Sequence, residues 1–213
     1  MRKFGWLPDT REKHHLVESL LKYFFCVASP DEWERIYIYK KASLTFRVSL
    51  AHTQSHHAIS AWSRNDEIQA KEIVIAEFDK KKFKDALAEI KELAFLMPDD
   101  FTKQLQSICA KCGVAVVFTQ HLPKAYISRA SRWFQNKPII QLSGRFATND
   151  QFWFTFLRSG THRFTWQKRY ILENVEGTEI DQDKEDEANA FAAKILLKEN
   201  ELQQIIHAAP LNE

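Results

Sequence analysis

Residues 148–162 read TNDQFWFTFLRSGTH and combine a helix start signal with a dense apolar run. The first four residues, Thr148 to Gln151, have the form of a capping box, in which side chains satisfy the free backbone N–H groups of a helix start. The residues that follow are apolar on nearly every helical face, which a helix tolerates only when it is buried all round. We therefore expect a buried helix at the centre of the fold.

Upstream of this run the first half of the chain shows helical periodicity. Apolar residues recur at spacings of one, three and four between Arg11 and Phe25, and again from Leu44 to Trp62. The residues from Ser29 to Glu32 form a second capping box with proline at the first helical position. A helix should therefore begin at Pro30 and bury Trp33 and Ile36.

Two further start signals follow in the same half. Asp79 precedes one amphipathic helix, and Pro98-Asp99-Asp100 opens another that Gly113 should end. The first 95 residues or so are thus predicted to form a helical array.

After Gly113 the pattern changes. Residues 114–118 are a short β-branched run typical of a buried strand, and two segments flanking Gln135-Asn136-Lys137 suggest a hairpin. An acidic loop from Glu173 to Asp183 leads to a last amphipathic helix. We therefore predict an α+β fold, in which a helical region, residues 1–95, packs on a domain, residues 96–213, with a small sheet and the buried central helix.

Composition excludes several classes of protein. The chain has 213 residues, 45% of them hydrophobic, and only five glycines and six prolines, which argues against disorder and low complexity. A formal net charge of +2 gives no argument for binding nucleic acid or membranes. With three cysteines, no secretory signal at the start and no apolar run of about 20 residues, we expect a soluble, cytoplasmic protein.

The polar residues at the end of the central helix are the main candidates for a functional site. Positions 158–162 read Arg-Ser-Gly-Thr-His. A zinc peptidase of the His-Glu-x-x-His type needs two imidazoles four residues apart on one helical face, with the glutamate between them activating water. His162 matches the second imidazole, whereas Arg158 and Ser159 replace the first imidazole and the glutamate.

From about Leu21 to Leu197 the sequence resembles the ImmA/IrrE-type metallopeptidase domain, in the subgroup attached to helix-turn-helix regulators and HigA-type antitoxins. The resemblance depends on the order and spacing of several short motifs along the chain. These motifs are Phe24 to Ala28 with Trp33, Ala61-Trp62, Cys109-Ala110 with Gly113 to Phe118, Arg132-Trp133, Ile139 to Ser143 with Arg145, Asp150 to Phe156 and Glu185 to Ala193.

The resemblance implies a zincin-like unit and a vestigial metal site. His162 and Glu185 occupy positions of two of the family's zinc ligands, and Asn189 lies one turn beyond Glu185, where it could orient a ligand. Arg158 and Ser159 depart from the motif, so one imidazole and the general base are missing. We expect no metal cofactor.

Charge suggests what replaced the ion. If the fold places Arg158 beside Glu185, a guanidinium would supply the positive charge that zinc once gave to a buried carboxylate. We hypothesise that Arg158 pairs with Glu185 or Glu187. The alternative is that Arg158 points into solvent.

The expected function is a catalytically inactive ImmA/IrrE-like module that regulates or binds a protein. The resemblance implies a setting in transcriptional control or a toxin-antitoxin system, with a helix-turn-helix regulator or a toxin as partner. Direct nucleic-acid contact is not expected, because no recognition helix with a basic stripe can be assigned.

Two alternatives stay open. The first is an active zinc endopeptidase that cleaves a regulator, with zinc held by a further ligand, His121 or a carboxylate of the acidic loop, and a substitute base such as Glu187. The second is a gene product whose fold persists with no selected role.

Other candidates have simpler interpretations. Cys109 and Cys112 have redox or zinc-knuckle spacing, but two cysteines cannot complete a four-ligand site, and core packing is favoured. The adjacent pairs His14-His15 and His56-His57 point about 100° apart on a helix. Neither pair is expected to chelate a metal from one face.

Overall fold

A computed structural model describes residues 1–40, 56–123, 129–143, 148–165, 171–173 and 182–197, without the side chains of 38–40, 56, 159–165, 171–173 and 182–185. Within these ranges the fold is α+β, as predicted. Helix α1 runs over Lys13–Glu18 and continues as a wider π-helical segment, Ser19–Phe25; α2 runs over Pro30–Trp33 and continues in the same way over Glu34–Lys40. The remaining helices are α3 His56–Glu72, α4 Lys80–Leu96, α5 Phe101–Lys111, α6 Asn149–Thr165 and α7 Gln182–Leu196.

The strands β1 Ala115–Thr119, β2 Arg129–Phe134, β3 Lys137–Ser143 and β4 Ile171–Glu173 form one mixed sheet in the order β1-β3-β2-β4. Strands β1 and β3 are parallel, and the other two pairs are antiparallel. The predicted hairpin is confirmed: Gln135 and Asn136 have φ of 48° and 64°, the positive values of a two-residue turn. Glu173, expected to open the acidic loop, instead ends β4.

Helices cover both faces of the sheet, and alternate residues of each strand point to opposite faces. Ala115, Val117 and Ile139 pack with Ala70 of α3 on one face. On the other face a larger core joins β1 and β3 to helices α4, α5, α6 and α7, through the buried residues Phe83, Leu87, Ile90, Leu93, Leu105, Ile108, Cys109, Val116, Ile140, Leu142, Phe152, Trp153, Phe156, Leu157 and Ala192. Burial on both faces explains why β1 is apolar from Ala115 to Phe118.

The local start and stop signals act as predicted. Ser29 Oγ accepts a hydrogen bond from the Glu32 N–H at 3.1 Å, and Asp79 Oδ1 accepts one from the Lys81 N–H at 2.9 Å. Gly113 follows α5 with φ of 79°, and a Cβ at that position would lie 2.4 Å from the Cα of Phe78. Only glycine fits there.

Two burial predictions need correction. Trp33 and Ile36 are half-buried rather than buried, because they lie at the margin of the N-terminal core. Helix α6 is not buried all round: Phe152, Trp153, Phe156 and Leu157 are buried, whereas Phe154 and Thr155 are half-buried. One wide face of α6 packs on the sheet and on α7, and the remaining face is partly open.

The helical region and the sheet share their cores. Within the described residues before Ala115 the regular elements are helical; α3 and α5 pack directly on β1, and α4 shares a core cluster with β1 and β3. The proposed division between residues 95 and 96 stays a prediction.

Candidate functional site

The region predicted to carry the vestigial metal site contains two neighbouring guanidinium groups. Arg158 is half-buried on α6, with its guanidinium carbon 6.0 Å from the ring centroid of Phe154, and burial lowers its pKa. Arg129 of β2 is 2% exposed, and its Nη1 donates to the backbone carbonyl of Thr155 on α6 at 2.8 Å. Burial lowers the pKa of Arg129 far below its usual value, and the positive charge of Arg158 lowers that pKa further. Two guanidinium groups therefore lie close to each other beside this part of α6.

The other predicted site residues are only partly open to description. Ser159 and His162 lie on α6 and Glu185 lies on α7, and these two helices pack together, but all three side chains fall outside the described residues. Asn189 is half-buried on α7 and Glu187 is exposed. The approach of Glu185 to His162, and the pairing of Arg158 with Glu185 or Glu187, stay predictions.

Sequence reasoning missed a buried cluster of charged residues between α3 and β2. Asp66 and Glu67 on α3 are 0% and 1% exposed, and Arg132 on β2 is 6% exposed. Arg132 Nε donates to Asp66 Oδ2 at 2.9 Å, and its Nη1 donates to Glu67 Oε1 at 3.0 Å. Arg132 Nη2 adds bonds to Asp66 and to the carbonyl of Ser63. The guanidinium thus joins the sheet to one helical turn.

Arg64 extends this cluster to the N-terminal helices. Its Nη1 donates to Glu67 Oε2 at 2.7 Å, its Nε donates to the carbonyl of Phe24 at 2.7 Å, and its Nη2 lies 3.2 Å from Cys26 Sγ. Burial is the strongest influence and lowers the pKa of Arg64, but the hydrogen bond to Glu67 and the negative charges of Tyr37, Glu67 and Cys26 together outweigh burial, so the net shift is upward. Two guanidiniums and two carboxylates are in direct contact, so their formal charges balance, and we call this cluster a clamp.

A cavity of about 460 Å³ lies beside the N-terminal core. Its walls are mainly apolar, and they are formed by Met1, Val17, Leu20, Leu21, Phe25, Pro30, Trp33 and Ala61 together with Asp31, Glu34 and His57. The rings of Trp33 and His57 stack with centroids 5.0 Å apart. A cavity of this size and lining is within the usual range for small ligands. No pattern in the sequence indicated it, because its walls come from three separate helices.

The cysteines behave as predicted. Cys109 and Cys112 are free and buried, and burial raises the pKa of both thiols. Raised thiol pKa values oppose thiolate chemistry and metal binding. Core packing is therefore their role in the described structure.

His14 and His15 are exposed, and their ring nitrogens lie closer together than a divergence of about 100° suggests. Ligand atoms of His14, His15 and Glu18 all lie within 4.8 Å of one another, on the exposed side of α1. The two Cβ atoms do diverge on the helix, but rotation about the side-chain bonds brings the rings back toward Glu18, three and four residues along. His57 is exposed, and the His56 side chain falls outside the described residues.

His121, the substitute zinc ligand of the peptidase alternative, lies in the segment after β1 and is half-buried. Over the described ranges no helix is both long and apolar enough to cross a membrane. In comparisons with known proteins, no family model, no curated protein and no solved structure matches the chain.

Proposed function

We propose that the chain is a catalytically inactive ImmA/IrrE-like domain that acts as a regulatory, protein-binding module. The observation that supports this proposal is the charge around α6. Arg158 takes the position where the first zinc-binding imidazole of the motif would stand, and a second buried guanidinium, that of Arg129, lies close enough to feel its charge.

The motif lacks most of what a catalytic zinc site needs. Such a site uses three protein ligands and an open position for water, with a base to take the proton. In this sequence the motif retains His162 alone, Arg158 offers no acceptor atom to a metal, and Ser159 cannot act as the carboxylate base.

The partner in this proposal is a protein, a helix-turn-helix regulator or a toxin, met in the cytoplasm. The charged residues Arg64, Asp66 and Glu67 of α3 are buried, so they offer no charged surface to a nucleic acid. Co-purification from the native host would identify the partner.

The zinc content of the purified chain tests the catalytic part of the proposal. We expect no difference in bound zinc between the wild-type chain and His162→Ala after dialysis. Stoichiometric zinc that His162→Ala abolishes, together with proteolysis of a regulator, would overturn the proposal in favour of the peptidase.

A second variant tests the ancestry of the site. Restoring Arg158→His together with Ser159→Glu should create a zinc site that depends on His162 and Glu185. Failure of this double variant to bind zinc, with its fold intact by circular dichroism, would contradict the assignment of Glu185 as a ligand.

A further inference from the structure

Helix α1 carries two imidazoles and a carboxylate close together on its surface. His14 and His15 are exposed, Glu18 is half-buried, and their ligand atoms all lie within 4.8 Å of one another. His14 lies four residues before Glu18 and His15 lies three residues before it, so one helical turn holds the whole group. Within the described residues this is the group of histidine, cysteine and acidic side chains that meets the geometry of a metal site.

The chemistry of the group selects a class of ion. Two imidazoles and one carboxylate are a ligand set used by zinc sites, with bonds of about 2.0 to 2.2 Å and water in the fourth position. Imidazole also suits Cu²⁺ and Ni²⁺, whereas Mg²⁺ and Ca²⁺ prefer oxygen ligands throughout. Because the side chains are exposed, small rotations can draw the ligand atoms from 4.8 Å to tetrahedral separations.

The carboxylate of Glu12 favours a cation beside this group, and the ammonium of Lys22 competes with the cation only weakly. Glu12 Oε2 lies 3.2 Å from His15 Nε2, which adds a second carboxylate beside the group. Glu18 Oε1 pairs with Lys22 Nζ at 2.8 Å. Exposed ion pairs of this kind contribute little stability, so a divalent ion can displace the ammonium.

We propose that His14, His15 and Glu18 bind one divalent transition-metal ion of the zinc class on α1. This site is separate from the degenerate motif on α6 and independent of the function proposed above.

An ion bound at this site would also support the structure of the N-terminal region. The regular part of α1 has six residues, Lys13–Glu18, and such short helices are marginal without outside support. A bound ion would close this turn directly before Leu20 and Leu21, which line the apolar cavity.

Titration calorimetry with zinc chloride tests the proposal on the full chain. The wild-type chain should bind one Zn²⁺, and His14→Ala with His15→Ala should weaken binding by at least about 100-fold. Loss of a single outer partner already weakens metal sites roughly 10- to 100-fold, and this double variant removes two direct ligands. Glu18→Gln should weaken binding about tenfold, and Lys22→Ala should strengthen it because Glu18 loses its competing partner.

Two control variants separate this site from the others. His57→Ala removes an exposed imidazole outside the group, and His162→Ala removes the remaining histidine of the degenerate motif; neither should change zinc affinity at α1. Circular dichroism without metal should be the same for all variants, because the altered side chains of α1 lie at the surface. Absence of zinc binding to the wild-type chain, or equal binding by the His14→Ala/His15→Ala variant, would overturn the proposal. Zinc binding lost only in His162→Ala would do so too, and would at the same time contradict the proposed inactive site.

Discussion

The two faces of strand β2 each bury an arginine, and the two guanidinium groups have different neighbours among the described residues. Arg132 points to the α3 face and contacts Asp66 and Glu67, whereas Arg129 points to the α6 face and lies near Arg158. Strand geometry explains the division, because residues separated by an odd number of positions lie on opposite faces.

The difference shows how buried charge can serve two purposes. On the α3 face, the charges neutralise one another and tie the sheet to a helix. On the α6 face, burial lowers the pKa of both guanidiniums, and the charge of Arg158 lowers the pKa of Arg129 further. The first arrangement is typical of a structural clamp; for the second, the pairing of Arg158 with Glu185 or Glu187 stays a prediction.

Removal of the clamp should have the largest effect on stability. Arg132→Met leaves Asp66 and Glu67 buried without their main partner, so the free energy of unfolding should fall by about 3 to 5 kcal/mol. Urea denaturation measures this change. Arg35→Met, which removes an exposed arginine 3.4 Å from Glu32, is the matched control and should change stability by less than about 1 kcal/mol. Equal effects of the two substitutions would show that the cluster is not a clamp.

A neutral contact on the same face should matter less than the ionic one. Gln141 on β3 is fully buried and its Nε2 donates to the carbonyl of Trp62 and to Thr119 Oγ1, both at 2.9 Å. Gln141→Leu should therefore cost about 1 to 3 kcal/mol in the free energy of unfolding, because both buried acceptors lose a donor. A cost above that of Arg132→Met would reverse the order proposed for this face.

Arg158 tests the pairing predicted on the α6 face. If Arg158 pairs with Glu185 or Glu187, Arg158→Met leaves a carboxylate without this cation, and the free energy of unfolding should fall by about 1 to 2 kcal/mol, between the values of exposed and buried ion pairs. Urea denaturation beside Arg132→Met gives the direct comparison. A change of less than about 0.5 kcal/mol would contradict the pairing.

The ionisation of Tyr37 at alkaline pH tests the surroundings of the α3 face without a change of sequence. Burial, and then the negative charge of Glu67, raise the pKa of its phenol from 10.0 to about 12. Between these values the unfolded chain loses the proton while the folded chain keeps it, so stability should fall as pH rises from 10 to 12. Below pH 10 this group should contribute no pH dependence. Alkaline absorbance titration against Tyr37→Phe checks the assignment, and a Tyr37 transition near 10 would contradict it.

Local signals in the sequence were sufficient to predict most of the helices and strands. Ser29 and Asp79 begin helices because their side chains satisfy backbone N–H groups two or three residues away, and Gly113 is needed because the backbone turns there with positive φ. These effects act over a few residues and can be read from short patterns. The site residues Arg158, Ser159 and His162 were found from the motif they resemble, and their side-chain partners stay predictions.

The buried clamp could not be predicted in this way. Residues 63–67 read Ser-Arg-Asn-Asp-Glu, which is typical of a solvent-facing helical turn. They are buried because Arg132 supplies the compensating charge from a strand 65 and 66 residues further along the chain. The group of His14, His15 and Glu18 on α1 was missed for a different reason. Side-chain rotation, rather than helix periodicity, brings its ligand atoms together.

The sequence by itself therefore determined most of the places where helices, strands and turns begin and end, with β4 as an exception, because these choices depend mainly on neighbours along the chain. The tertiary structure decided which charges are buried and what each one faces. Burial of a charge depends on partners that only folding brings within a few ångströms, and the two faces of β2 show that the same residue type can meet different partners three positions apart.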